Sequence, residues 1–436
     1  MNNRLRTLAL GLLLGATLLD ANLSSAAPMR AADFIARQGV NLHISQGTSN
    51  YKKMDMVTTN LAYLRIHNVR DSFNPFWNGP AYGYYTHLAQ AGMKWTFISA
   101  VGGTRSPTTI ATFLNNISAL ERAVPGSVFA VEGPNEINNF PLTWEPTGQK
   151  GLDAALAFQQ SLYGQTQASP VLKKAKVFYF TGYDAGSIPK GPDPTTTPGY
   201  SHYNNQHPYP LHGKPPARWI ARSKALGNTP SGAGPAVYTE TGYQIPKTSE
   251  AQAASWTLNL LVGSAANGIY RTYLYQLMDE GNGWGLFSKT TNQPTPAATA
   301  IHNMNTILAD DGEKARTFTP TTLVKYSTSG RPATGRSFVV QKSDMETNIL
   351  VWAEPDEFPG PETPVMVHFG AEQPLVLIYD PLEGTGPIQS LRNVSSAEIR
   401  VTDHPLIVQI PTAAALALAK NRLLISPTAA QASPAN

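Results

Sequence analysis

The sequence predicts an α/β protein: a (β/α)8 TIM barrel followed by a C-terminal antiparallel β-sandwich. Three observations support this. Between Gly39 and about Ala309, short runs rich in β-branched and aromatic residues alternate with longer stretches of helical periodicity, the pattern of βα units around a parallel sheet. No glycine-rich phosphate loop follows the first of these runs, which argues against a doubly wound open sheet. After Asp310-Asp311-Gly312 the texture changes to strand-length runs separated by turn residues.

Residues 1–27 have the build of a secretory leader, with Arg4 and Arg6 ahead of the mostly apolar run Leu8 to Leu19 and a small-residue stretch ending at Ala27. The run is shorter than the roughly 20 apolar residues a bilayer span needs, so the expectation is cleavage, a secreted or periplasmic location and no stable membrane insertion. Residues 28–312 are assigned to the barrel. Its eight strand candidates are Gly39 to Ile44, Ala62 to His67, Lys94 to Ala100, Val128 to Glu132, Lys176 to Thr181, Tyr203 to His207, Ala236 to Thr239 and Gly268 to Leu274. Helix candidates include Pro107 to Val124, Gly151 to Gln167, Ala217 to Leu226, Ser249 to Ala266 and Thr295 to Ala309, with Pro107 and Thr295-Pro296 as starts and Gly227 as a stop. Residues 313–426 are assigned to the sandwich. Its strand candidates are Leu323 to Ser327, Ser337 to Lys342, Asn348 to Ala353, Val365 to Phe369, Leu375 to Tyr379, Glu398 to Thr402 and Leu406 to Ile410. Residues 427–436 read as a flexible tail.

Composition narrows the chemistry. Only 14% of the residues are charged, against about 25% in an average soluble protein, which suits contact with neutral ligands. The formal net charge of +4 is no electrostatic footprint for nucleic acid. With no cysteine, disulfides, thiolate metal sites and cysteine nucleophiles are all excluded. The sequence has no zinc-protease helix, no P-loop and no nucleophile elbow, and no metal site or cofactor is expected.

In a (β/α)8 enzyme the working residues project from the C-terminal ends of the strands. The fourth candidate strand runs through Glu132-Gly133-Pro134 into Asn135-Glu136, and the seventh delivers Glu240 into a glycine-containing turn. Two glutamates facing each other across a barrel mouth have the means to hydrolyse a glycosidic bond, one protonating the leaving oxygen and the other attacking the anomeric carbon or activating water. Glu132, deeper in its strand, reads as a buried hydrogen-bonding group. Arg65, inside the otherwise apolar second candidate strand, needs a partner, and Glu240 would serve while lowering its own pKa; a structural ion pair elsewhere is the competing reading. Trp284, in the loop after the eighth strand, is the first choice for a platform under a sugar ring. His43, Trp77 and Trp144 extend the candidate site, and Asp279 and Glu280 either bind substrate or brace their loop.

Asn135-Glu136 after the fourth strand, Glu240 after the seventh and His207-Pro208-Tyr209 at the sixth resemble the retaining glycoside hydrolases of clan A. Within the clan the chain most resembles family 39 β-xylosidases and related bacterial exopolysaccharide glycosidases, over essentially everything after the leader. The resemblance implies that Glu136 is the general acid/base and Glu240 the nucleophile. It also implies that Asn135 binds the sugar 2-hydroxyl and that His207 and Tyr209 hydrogen-bond the nucleophile. The expected activity is double displacement on a β-linked poly- or oligosaccharide. The alternative is a non-catalytic carbohydrate-binding or scaffold protein on the same fold.

Overall fold

The computed structural model describes residues 28–47, 50–73, 80–182, 200–210, 213–226 and 236–412. The leader, Trp77, Gly227 and the chain beyond 412 lie outside the described residues. Eight parallel strands form the barrel: β1 Gln38–Asn41, β2 Asn68–Ser72, β3 Lys94–Ile98, β4 Val128–Glu132, β5 Lys176–Phe178, β6 Asn204–Gln206, β7 Ala236–Thr241 and β8 Arg271–Leu274. Their order in the sheet is β6-β7-β8-β1-β2-β3-β4-β5, and a parallel bridge between Phe178 and Tyr203 joins the two ends.

Seven of the eight expected strands are found, most of them shorter than expected, and the second is displaced. The run Ala62 to His67 is mostly the end of helix Met54–Leu64, whose buried Val57, Leu61 and Leu64 keep a helical spacing. Arg65 caps that helix in the left-handed region at φ 56°. The true β2 is Asn68-Val69-Arg70-Asp71-Ser72, a polar segment buried almost throughout. Such a strand is stable only because its polar groups find partners inside the barrel.

The helices start where side-chain caps are available. Ser106 and Ser249 form capping boxes with Thr109 and Gln252, and Thr295 accepts from the backbone of Ala298, opening helices Pro107–Ala123, Glu250–Ala266 and Pro296–Ile307. Helix Glu250–Ala266 is buried on nearly every side, because it lies between the barrel and the second sheet. Its Asn259 Nδ2 donates to the carbonyls of Asp403 at 2.7 Å and Ala353 at 3.3 Å, and Trp256 meets Phe358 edge to face.

The C-terminal region is antiparallel: β9 Tyr326–Ser329, β10 Arg336–Gln341, β11 Thr347–Trp352, β12 Thr363–Tyr379, β13 Pro387–Val401 and β14 Leu406–Ile410. The two expected strands Val365 to Phe369 and Leu375 to Tyr379 are the halves of the long β12. One half pairs with β9 and the other with β14, so β12 joins them in one continuous sheet. Buried residues of both halves, including Val365, Val367, Val376 and Ile378, share one apolar core with Ile349, Val351 and Val408. Met29–Arg30, at the other end of the chain, adds a parallel strand beside β10, which ties the start of the barrel to the sandwich.

Candidate active site

Arg70 is the centre of the barrel mouth. It projects inward from β2 and is almost fully buried. Nε and Nη2 donate to the two oxygens of Glu132 at 2.7 and 2.8 Å, and Nη2 also donates to Asn135 Oδ1 at 2.8 Å. Nη1 donates to Glu240 Oε1 and Asn41 Oδ1, both at 2.7 Å. The guanidinium has five N–H donors, so every one is matched with an acceptor. Burial works against its charge, but Glu132 and Glu240 more than offset this and raise its pKa above the ordinary value.

Glu240 is placed by an irregularity in β7. The register against β8 slips between Tyr238 and Thr241, the mark of a bulge, and adjacent side chains that would alternate in a regular strand both face the mouth. Thr239 Oγ1 lies 3.0 Å from Glu132 Oε1 and 2.9 Å from Asn205 Oδ1, while Glu240 reaches Arg70. Tyr209 O–H donates to Glu240 Oε2 at 2.9 Å. Burial alone would raise the Glu240 carboxyl. The His207 imidazole and Arg70 guanidinium, with hydrogen bonds from Arg70 and Tyr209, outweigh it and bring the pKa down to about 2. Burial, then Glu240, pushes the Tyr209 phenol well above its usual value, so it remains a donor.

Glu136 sits on the turn after β4. A Cβ on Gly133 would meet Gln159 Oε1 at 1.9 Å and the Phe180 backbone nitrogen at 2.8 Å, so only glycine fits where the chain leaves the strand. Glu136 itself has φ 43°, an uncommon left-handed conformation for a residue with a side chain. It is held by its N–H to Thr181 Oγ1 at 3.0 Å, by Asn135 N–H to the Ala100 carbonyl at 2.9 Å and by Ile137 N–H to the Thr181 carbonyl at 3.0 Å. Asn139 Nδ2 donates to Glu136 Oε2 at 3.1 Å, and His207 Nδ1 lies 3.0 Å from Oε1. The same Nδ1 is 3.7 Å from Glu240 Oε2, and Nε2 is 3.0 Å from Thr239 Oγ1. His207 therefore stands between the two carboxylates. One oxygen of each carboxylate and the imidazole nitrogen lie within 4.8 Å of one another. These three groups have the donor set for a cation, although the Arg70 guanidinium already occupies Glu240 at 2.7 Å.

Glu136, Glu240, Tyr209, Tyr275 and Trp284 line one cavity of about 360 Å³. Trp284 meets the rings of Tyr209 and Tyr275 edge to face, with centroids 5.0 and 6.0 Å away, so it is braced at the rim. His43 Nδ1 and Glu280 Oε2 form a pair 2.5 Å apart beside Tyr51 and Tyr275. Asp279 accepts from the N–H groups of Gly281 at 3.0 Å and Gly283 at 2.8 Å, bracing its own loop. Trp144 is buried against Phe158 in a small three-stranded sheet and lies outside the lining of the cavity that holds Glu136 and Glu240.

Of the two residues expected to hydrogen-bond Glu240 only Tyr209 does so, His207 meeting Glu136 instead, and a second correction among the expected site residues is Arg65. Its guanidinium pairs with Asp311 at 2.7 Å, an acid whose side chain is 82% exposed, well away from Glu240. The expected partner of Glu240 is an arginine of β2, and that arginine is Arg70. The clue in the sequence is the helical phase of Val57, Leu61 and Leu64, which assigns Arg65 to a helix end and leaves Asn68 to Ser72 for the strand. Asn139, Asn41 and Thr239 were also not anticipated. Each is a common polar residue with no motif around it.

A closed barrel with a sandwich at its side is a fold that solved structures share. A family 39 glycoside hydrolase from Bacteroides cellulosilyticus aligns over 87% of this chain and 82% of its own, at TM-score 0.60 and 12% identity. A monomeric β-xylosidase from Caulobacter crescentus aligns over 89% and 98%, at 0.56 and 13%. A family 30 xylanase from Clostridium acetobutylicum aligns over 86% and 95%, at 0.53 and 13%. The fold is that of the family 39 and family 30 glycoside hydrolases of clan A. No protein-family model matches the sequence, and no curated protein does.

Proposed function

We propose that the protein is a retaining β-glycoside hydrolase that acts on a poly- or oligosaccharide by double displacement. The observation that carries this is the spacing of Glu136 and Glu240, whose nearest oxygens lie within 4.8 Å. Retaining enzymes hold their carboxyl groups about 5 to 5.5 Å apart, whereas inverting enzymes leave about 6.5 to 9.5 Å for a water. Glu240, ionised at any pH well above about 2, attacks the anomeric carbon while Glu136 delivers a proton to the departing glycosidic oxygen. The C–O bond to the leaving group breaks as the ester bond to Glu240 forms. Glu136, now a carboxylate, then takes a proton from water, whose oxygen displaces Glu240 and regenerates both groups. Asn135, with Oδ1 committed to Arg70, presents its amide N–H groups to a sugar hydroxyl, and Trp284 offers its ring to the apolar face of the sugar. The leader assigns the enzyme to a secreted or periplasmic location, where such polymers are met.

The test is release of new reducing ends from a panel of β-glucans, xylans and bacterial exopolysaccharides by the mature protein and its Glu136→Ala and Glu240→Ala variants. Each variant is expected to lose at least about 10³-fold in kcat, with partial rescue by azide. Tight retention of a polymer without cleavage would point instead to a carbohydrate-binding protein.

A further inference from the structure

Two cations at the barrel mouth take no part in the catalytic network. Lys247 follows β7 and lines the same cavity as Glu136, Glu240 and Trp284, together with Gln244 and Thr248. Among the described residues no carboxylate pairs with it. Arg105, on the short strand Gly103–Arg105 after β3, lines a second cavity of about 540 Å³ with Ser72, Ser99 and Ala100. Its guanidinium donates to the carbonyls of Gly102 at 2.9 Å and Val101 at 3.4 Å, and no acid of the described residues lies against it. Partial burial alone lowers its pKa. The Ala100 carbonyl that borders this cavity accepts from Asn135, the residue before Glu136. The second cavity therefore borders a residue that holds the turn carrying Glu136.

By contrast, Arg70, at the centre of the mouth, has two carboxylates. The guanidinium of Arg105, bonded only to carbonyls, keeps a charge that a ligand carboxylate would neutralise. Two buried glutamates would also repel an anionic ligand unless a nearby cation offset them. Lys247 has the position to do this on the cavity wall. The planar fork of Arg105 suits a carboxylate, which it can engage through two parallel N–H groups.

We propose that the substrate is an acidic β-linked polysaccharide, with uronate carboxylates received by Lys247 on one side of the cleavage point and Arg105 on the other. The inference deepens the glycosidase reading and rests on it for the site's purpose, but its test reads binding separately from cleavage. The probes are β-1,3- and β-1,4-glucans of matched length, each native and oxidised at C6 to the glucuronate. Full-length mature Glu136→Gln protein, which cannot complete the reaction, is run in affinity electrophoresis with each form, alone and combined with Lys247→Gln, Arg105→Gln or Lys247→Arg. Retention by at least one oxidised polymer is expected to exceed that by its native form at least about tenfold at low ionic strength, and the difference should shrink with salt. Each glutamine variant should bring the ratio toward one, and Lys247→Arg should keep most of it. Equal retention of the two forms, no retention of any oxidised polymer, or a ratio that survives in both glutamine variants would overturn the proposal. Reducing ends are assayed in parallel with the Glu136 protein: charge preference without cleavage removes the glycosidase reading alone, and cleavage without charge preference removes this proposal alone.

Discussion

The barrel mouth and the sandwich each bury a cation between two carboxylates, and the two clusters behave differently. In the mouth, Arg70 joins Glu132 and Glu240, with all five N–H groups used. In the sandwich, His404 joins Asp380 through Nε2 and Asp403 through Nδ1, both at 3.0 Å. The second cluster lies against the barrel: Asp403 accepts from the Gly360 backbone, its carbonyl accepts from Asn259, and Asn303 of helix Pro296–Ile307 donates to the Pro381 carbonyl next to Asp380. Guanidinium stays charged at any working pH and imidazole does not. One cluster is thus a fixed scaffold for the Glu240 carboxylate, and the other is a fastening between barrel and sandwich that a change of pH can loosen.

Removing Arg70 should give the largest effect. Arg70→Met leaves Glu132 and Glu240 buried without their cation and should cost about 3 to 5 kcal/mol, read as a fall in the urea midpoint at pH 7, together with loss of activity. A loss below about 1 kcal/mol would mean that water or rearranged side chains serve both acids as well as Arg70 does.

Next comes the pH dependence of the sandwich cluster. Burial opposes the charge on His404, but Asp380 and Asp403 overcome it and raise the pKa from 6.5 to about 9. The folded value exceeds the unfolded one, so this stabilisation is complete below about 6.5 and disappears as the pH rises through about 9; at full strength it is about 3 kcal/mol. Asp403, which burial would raise, is instead held below its ordinary value, chiefly by the His404 hydrogen bond, and its share is present above the usual carboxylate range and lost in acid. The urea midpoint should therefore fall between pH 7 and pH 10, and His404→Gln should flatten that slope. An unchanged slope in the variant would break the contrast with Arg70.

Tyr209→Phe sharpens the other half of the comparison. It removes one donor from Glu240, so about 1 to 1.5 kcal/mol of support is lost; kcat should drop roughly tenfold and the acidic limb of the pH profile should move upward. Glu240 starts at about 2, below its unfolded value of 4.5, so the wild-type contribution persists above 4.5 and is lost only as the pH falls through 2. Asn139→Ala is the smallest change. Without the amide donor to Glu136 Oε2, kcat should fall about two- to fivefold with KM nearly unchanged, because Asn139 positions the acid without lying in the cavity lining.

Apolar runs identify most of the barrel strands, because strands such as β3, β4 and β7 bury Val, Ile and aromatic side chains whose pattern is local, although β6, Asn204–Gln206, is itself polar and is flagged only by its neighbour Tyr203. Glu136 and Glu240 are legible for a related reason: each follows an apolar strand directly, and the end of a barrel strand is where a side chain reaches the mouth. Trp284, Tyr209 and His207 follow from the same rule, and all three line or border the site. Arg70 does not, since a buried polar strand such as Asn68–Ser72 has no hydrophobic signature and is made stable by acids 62 and 170 positions away in the chain. The bulge that turns Glu240 toward Arg70 and the left-handed Glu136 likewise depend on contacts with neighbouring strands. The sequence by itself determined where most of the barrel strands, the sandwich and the two glutamates lie, because hydrophobic period and strand ends are local properties. Only the tertiary structure decided which cation each buried acid meets, because that pairing is set by the closure of the sheet and by the cost of leaving any of those charges alone.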